Sequence, residues 1–205
     1  MNIKGSLQEA EEKLQKLDPI LGRIIELQKP IYRLPRKDYF FTLSRSIVGQ
    51  QISVNAAGAI FDRLEKLTNL EPTRVADLSQ PQIKKIGLSK QKTNYLTDLA
   101  VHFRDNPEIY NHLDKSTNQE VIDELTAVKG IGIWTAQMFL MSTLLRLDVF
   151  AADDIGLQRA IKKLYGLDKI PTKIELEKIA EKWKPYRTVA CWHLWKSLDN
   201  SPILA

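Results

Sequence analysis

Two stretches of this chain set residue types at spacings that suit chemistry. In VFAADDIGLQRAIKKLY, residues 149 to 165, Asp153 and Asp154 stand side by side just before an apolar repeat of helical period. A carboxylate there can cap the helix by accepting backbone N–H groups. It can also stabilise positive charge that develops on a bound molecule, or orient a water. In LTAVKGIGIWTAQMFL, residues 125 to 140, Gly130-Ile131-Gly132 separates two apolar-faced segments. Both glycines are expected to take positive φ and to let another molecule's backbone approach closely, while Ile131 pins the turn into the core. The first-turn amides of the second helix find no acceptor inside that helix and suit a phosphate.

An ordinary helix–helix turn closed by a glycine would use the same residues. The flanking spacing favours the other reading. Leu125 and Val128 on one side, with Ala136 and Phe139 on the other, bury the two helices against each other. With that spacing the segment reads as a helix-hairpin-helix, a grip on the DNA backbone that carries no sequence information. Between Gly132 and Asp154 the chain runs out along one helix and returns, which can bring the carboxylate back towards the phosphate-gripping turn. A negative charge near DNA is repelled unless it acts there. A further segment, IKKIGLSKQKTNYL (83 to 96), is basic around a glycine turn. It offers Lys84, Lys90 and Lys92 as a second phosphate contact, or simply a solvated basic face. His102, His112 and His193 are scattered without metal-ligand spacing, and none is assigned to catalysis.

The elements that must position these residues read almost entirely as helix. Leu7, Ala10, Leu14 and Leu17 recur at helical spacing until Asp18-Pro19 breaks the pattern. A second helix starts at Ile20 and is ended by Pro30. A third runs from about Asp38 to Val48, Gly49-Gln50-Gln51-Ile52 interrupts it, and Ser53 caps the next. Shorter pieces lie near 75–78 and 81–86. Longer helices cover 90–103, 118–128, 133–145, 155–164, 173–183 and 186–198. Asp148-Val149-Phe150 is the one candidate for a short extended stretch. No fixed-period repeat or low-complexity segment is present, so the expected fold class is all-α.

Of 205 residues, 43% are hydrophobic and 27% charged, with a net charge of +5. This is the composition of a soluble globular chain with a bias towards acidic partners such as nucleic acid. The single cysteine, Cys191, excludes an internal disulfide and any multi-cysteine metal site. No apolar run approaches the roughly 18 residues of a membrane span, and the amino terminus lacks the apolar stretch of a signal peptide. The expected setting is intracellular: cytoplasm or nucleoid in a bacterium or archaeon, nucleus in a eukaryote.

The hairpin followed by Asp154 resembles the signature of the helix-hairpin-helix DNA glycosylase superfamily. Within it the chain most resembles the 3-methyladenine DNA glycosylase II family. The similar stretches are FFTLSRSIVGQQISVNAAGAIFDRL (40 to 64), VKGIGIWTAQMFL (128 to 140), DVFAADDIGLQRA (148 to 160) and WKPYRTVACWHLWKS (183 to 197). Prolines sometimes found near the hairpin and before the aspartate are replaced here by Val128-Lys129 and Ala151-Ala152.

The resemblance implies two helical subdomains flanking a DNA-binding cleft, with 43–148 as the central one and 1–42 plus 149–205 as the other. It makes Asp154 the catalytic aspartate and leaves Asp153 as a candidate helix cap or support. Gln50 and Gln51 fall in the loop that wedges into the gap left by a flipped base, Gln51 at the wedge position itself. Trp134 and Trp195 match aromatic positions of the base pocket, where an indole face attracts a positively charged alkylated purine. Met138 stands where the family tends to have tyrosine. Gly130, Gly132, Lys129, Thr135 and Lys90 are the expected phosphate contacts. Bifunctional relatives carry a lysine at the place of Trp134, so base removal without strand cleavage is implied, and Cys191 alone cannot hold the iron–sulfur cluster of the endonuclease III branch.

The expected activity is hydrolysis of the N-glycosidic bond of alkylated purines, 3-methyladenine and 7-methylguanine, by base flipping in double-stranded DNA containing damaged bases. Expected with it are a monomer, no membrane contact, no cofactor, and room for a monovalent cation in the hairpin turn. The alternatives are a glycosylase for deaminated or mispaired bases, and a non-catalytic helix-hairpin-helix DNA-binding protein.

Overall fold

Side chains that accept amides mark where the helices of this chain begin. The computed structural model describes residues 3–198, with side chains from residue 5. Among the described residues there are thirteen α-helices, one 3-10 turn and no strand. Two compact units divide the chain: Met1–Pro35 with Leu140–Ala205, and Arg36–Phe139.

The central unit opens with α1 and α2 of the other unit already complete, so its own helices are α3 (Tyr39–Gly49), α4 (Val54–Thr68), α5 (Pro72–Ala76), α6 (Gln80–Ile86), α7 (Lys90–Asp105), α8 (Pro107–Tyr110), α9 (Asn118–Ala127) and the start of α10 (Ile133–Ser142). Asp38 caps α3 through the Phe41 amide at 2.9 Å, and Ser53 caps α4 through Ala56. Thr117 and Glu120 bond reciprocally at the head of α9, a capping box that satisfies two amides at once. The core is aliphatic with an aromatic seam. Phe40 meets Phe103 edge-on at 5.2 Å, and Phe103 meets Tyr110 at 4.9 Å. Leu43, Ile47, Leu96, Leu99, Val121 and Leu125 are buried around them.

The other unit holds α1 (Ile3–Leu17), α2 (Pro19–Leu27), α11 (Ile155–Leu164), α12 (Lys173–Glu181) and α13 (Arg187–Lys196). Leu7, Leu14, Leu21, Leu157, Ile161, Leu176 and Trp183 bury their side chains in it. Trp192 is buried too. The units divide at 36 and 139 rather than at the 43 and 148 read from the sequence. All of α3 belongs to the central unit, because Tyr39 and Phe40 pack on Phe139 and Phe103. The segment after residue 139 belongs to the other unit, because Thr188 ties it to α13. The Thr188 hydroxyl donates to Arg146 O at 2.6 Å, and its amide donates to Leu147 O at 2.9 Å. The stretch 148–150 pairs with no strand. Val149 N donates instead to Thr188 Oγ1, and Arg187 grips the Asp148 carboxylate from two nitrogens.

Asp18 is the hub of this unit. Its side chain is fully buried and caps α2 through the amides of Ile20 and Leu21. It also accepts from Trp183 Nε1 at 2.8 Å and from the Tyr165 hydroxyl, and it pairs with Lys182 Nζ at 3.0 Å. Burial alone would raise its pKa, but the bonds from Tyr165, Trp183, Lys182 and the Leu21 amide outweigh it and hold the pKa below the ordinary aspartate value. A carboxylate with a lowered folded-state pKa contributes stability that is complete above its unfolded pKa near 4 and is lost as pH falls through the folded value. Asp18→Ala should therefore cost about 3–5 kcal/mol at neutral pH, because it orphans several buried donors. Urea denaturation at pH 7 and pH 3 checks this, and the gap between parent and variant should narrow at the lower pH.

Candidate active site

The hairpin turn is built from the C-terminus of α9 and the N-terminus of α10. Gly130 takes φ +83°, and a Cβ at that position would lie 2.2 Å from Cδ2 of Tyr95, whose ring comes up from α7. No side chain fits there. Gly132 differs from the expectation that both glycines need positive φ. Its backbone is not in the left-handed region, and a Cβ on it would meet nothing within 4 Å. The fold itself does not demand glycine at 132. Ile131 is buried as expected, and its amide donates to Val128 O at 3.1 Å.

Besides Tyr95, two side chains hold this turn by hydrogen bonds. Gln50 Nε2 donates to Gly130 O at 3.0 Å. Asp98 accepts both the Lys129 amide, at 2.9 Å, and Lys129 Nζ, at 2.8 Å. Burial would raise the Asp98 pKa, but the two bonds from Lys129 win and lower it. Gln50, expected in the wedge loop, braces the hairpin, and Lys129, expected at a phosphate, pairs with Asp98. Gln51, by contrast, is exposed at the tip of its loop with φ +56°, a conformation that glutamine rarely adopts. Thr135 is buried, so its side chain is part of the α10 packing and not an exposed phosphate contact. Lys90 is exposed, whereas Lys92 is spent on Val48 O at 2.7 Å, where desolvation lowers its pKa.

Of the pocket aromatics, Trp134 is 41% exposed in the first turn of α10, and its neighbour Ile133 is 58% exposed. Met138 lies one turn further on and is buried at 1%. Trp195 is also buried, at 2%, so it offers no open face to a base in this structure. Its polar edge does something else. Trp195 Nε1 donates to Asp154 Oδ1 at 2.8 Å.

Asp154 sits at the N-terminus of α11, with its side chain 9% exposed. The same Oδ1 accepts the Leu157 amide at 2.7 Å, so the helix cap and the candidate catalytic group are one residue. Asp153 is not the cap. It is exposed and pairs with Lys173 at 2.8 Å. The backbone before Asp154 is fixed by a turn, Asp154 N to Ala151 O at 2.9 Å, and by Gln158 Nε2 donating to Ala152 O. Gly156 lies tight against this pair. A Cβ there would lie 3.0 Å from Asp154 Oδ1 and 3.2 Å from Trp195 Cδ1. The sequence reading overlooked Gly156, Tyr95 and Asp98. For Gly156 a signal existed, since glycine inside a helix costs about 1 kcal/mol and asks for a packing reason. Nearby, Cys191 is fully buried, and desolvation pushes its thiol pKa well above the usual range. Among the described residues no group of three or more His, Cys, Asp or Glu could hold a metal ion, and no helix is long and apolar enough to cross a membrane.

Residues 44–185 match the HhH-GPD superfamily of base excision DNA repair proteins. The chain belongs to that superfamily. Its relatives within it include DNA-3-methyladenine glycosylase 1 of Schizosaccharomyces pombe, 33% identical over 95% of this chain and 89% of the relative. Among solved structures, a DNA-3-methyladenine glycosidase of Bacillus halodurans superposes with a TM-score of 0.83 at 36% identity, covering 92% of this chain and 88% of that one. A Schizosaccharomyces pombe 3-methyladenine DNA glycosylase, solved in complex with abasic DNA, superposes with a TM-score of 0.79 at 32% identity, covering 93% and 97%. The turn 128–133 lies within the matched residues, and Gly130 is the residue that lets it close against α7.

The two glycines should separate in a stability measurement. Gly130→Ala forces a left-handed conformation on alanine and drives Cβ into Tyr95, for a combined cost of about 2–5 kcal/mol. Gly132→Ala changes only a helix N-cap and should cost at most about 1 kcal/mol. Denaturant melts of the two variants against the parent check the ordering.

Proposed function

We propose that this protein is a monofunctional DNA glycosylase that removes alkylated purines, 3-methyladenine and 7-methylguanine, from double-stranded DNA, acting as a monomer. The observation that carries the reading is the buried Asp154 carboxylate, fixed through Oδ1 by the Leu157 amide and the Trp195 indole. A carboxylate held in one orientation costs no reorganisation when positive charge develops beside it. In glycosidic cleavage that charge develops on the sugar as the base departs. An alkylated purine already bears positive charge and leaves as a neutral base, so the step needs no strong general acid and no cofactor. Water then adds to the sugar carbon and gives up its proton, which Asp154 can orient or accept.

The other parts take supporting roles in this scheme. The first turn of α10, opened by Gly132, receives a backbone phosphate on its amides. Gln51 fills the stack where the base has flipped out, and its left-handed backbone is the kind of local strain that functional loops carry. Trp134 offers its exposed ring to the cationic base, while Trp195 acts by positioning Asp154. Trp134 also stands where a bifunctional relative would have its lysine, so no amine is placed to form a Schiff base and the strand stays intact.

Asp154→Asn should lower single-turnover release of 3-methyladenine from methylated DNA by at least about 100-fold, while its affinity for a duplex bearing an abasic-site analogue holds or rises. Near-parental release by this variant would overturn the assignment. Trp134→Leu keeps bulk but removes the cation attraction of ~0.5–2 kcal/mol, roughly a two- to thirtyfold loss in specificity. Comparing release of 7-methylguanine with release of neutral hypoxanthine tests it, since the loss should be larger for the charged base.

A further inference from the structure

His193 has no part in the site above, yet it is wholly buried and both its ring nitrogens are engaged. Nδ1 lies 2.8 Å from Gln28 Oε1, and Nε2 lies 3.0 Å from Glu11 Oε1. The same Gln28 amide donates through Nε2 to the His193 carbonyl at 3.1 Å. With its nitrogen committed there, the amide offers only an acceptor to the ring, so Nδ1 carries a proton. On the far side of the ring, the buried Glu11 uses Oε1 to accept the Ile31 amide as well, at 2.9 Å. A carboxylate oxygen and a bare ring nitrogen would repel at 3.0 Å, so a proton lies between Glu11 and His193.

These bonds fasten the segment after α2 to the end of α13. Two further contacts join them. Lys196 Nζ donates to Lys29 O at 2.6 Å, and the Arg33 guanidinium stands 5.0 Å from the centroid of the Trp192 ring. At its other end α13 is held by Arg187 on Asp148 and by Thr188 on Arg146 O. Trp195 lies seven residues beyond Thr188, about 10 Å along the helix. At that reach a tilt of about 6° displaces the indole by about 1 Å, enough to break a hydrogen bond. The anchors of the first turn leave that tilt open, and the contacts at 192, 193 and 196 close it. Residues 193 and 195 point about 200° apart around the helix. His193 reaches α1 and the segment after α2 on one face, while Trp195 reaches Asp154 at the head of α11 on the other.

We propose that Glu11, Gln28 and His193 are positioning residues which, through α13, set the aim of the Trp195 indole at Asp154 and with it the rate of base release. The proposal rests on the glycosylase reading above, since it takes Asp154 as the group being aimed. None of the three touches the carboxylate. They fix the helix from behind, so that the indole N–H meets Oδ1 at 2.8 Å without having to be drawn there by the substrate. A carboxylate whose partner has swung away would have to be reoriented at each turnover, and that cost falls on the chemical step and not on DNA binding.

The test pairs base release with a direct view of the bond. In proton–nitrogen NMR spectra the Trp195 indole N–H, identified by its loss in Trp195→Phe, reports the bond to Asp154, and Asp154→Ala gives the position of the unbonded signal. His193→Phe keeps ring bulk and removes both ring bonds. Gln28→Leu, at a half-buried position, removes the amide bridge with less risk to folding. Each should lower single-turnover release of 3-methyladenine about 10- to 100-fold, leave affinity for a duplex bearing an abasic-site analogue unchanged, and move the Trp195 signal towards its Asp154→Ala position. Glu11→Ala should do the same. Glu11→Gln, whose amide can donate to His193 Nε2 and still accept from Ile31, should restore both rate and signal. Leu176→Ala, which weakens the same unit from α12, should move neither. Parental release or an unmoved Trp195 signal in His193→Phe and Gln28→Leu overturns the proposal. So does an equal response in Leu176→Ala, or a Glu11→Gln variant that behaves like Glu11→Ala. A parent that releases no base defeats the glycosylase reading, and the Trp195 signal alone then upholds or overturns the positioning.

Discussion

A buried carboxylate is tolerated only where donors replace the water it has lost. Asp154 meets that condition with one oxygen, which takes a helix amide and an indole N–H together. Much of its unit follows from this. The indole must come from a helix lying alongside, so α13 is anchored by Thr188 to the segment leading out of α10 and by Arg187 to Asp148. The approach of indole to carboxylate leaves only tight space for a side chain at 156. The loop entering the site must be small, and Ala151 and Ala152 are both buried there. Position, in this protein, is bought with the loss of alternatives at several neighbouring residues.

The central unit solves a different problem, which is to hold an exposed turn rigid without covering it. Its answer is to brace the turn from behind. Tyr95 and Asp98 on α7 and Gln50 at the end of α3 all reach the inner side of the hairpin, through ring contact, a charged bond and an amide bond respectively. None of these occupies the outer side, where Gly132 and the exposed Ile133 and Trp134 face solvent. A turn supported in this way keeps its geometry whether or not anything is bound to it, which lowers the ordering cost of association.

Most of the fold was legible because period and punctuation agree. Asp18-Pro19, Asp38, Ser53 and Thr117 each start a helix where the apolar repeat begins. The turn at Gly130 and the cap at Asp154 were legible because a glycine at a helix end and an aspartate at a helix start are common structural signals. What stayed hidden was long-range pairing. Nothing in the residue pattern links Gln50 to Gly130 across the chain, so its bond to the hairpin was not foreseen. Likewise Trp195 reads as an aromatic surface, because the sequence does not say which edge of an indole meets which carboxylate. The burial of Thr135 and the pairing of Lys129 with Asp98, 31 residues upstream, were invisible in the sequence for the same reason.

Cys191 places one further constraint on the life of this molecule. The thiolate, not the thiol, is the nucleophile, and it reacts only where it is ionised and accessible. Here the one sulfhydryl is enclosed in the core and kept in its protonated, weakly nucleophilic form by desolvation. The same packing that seats α13 beside Asp154 therefore leaves the chain's single thiol unreactive.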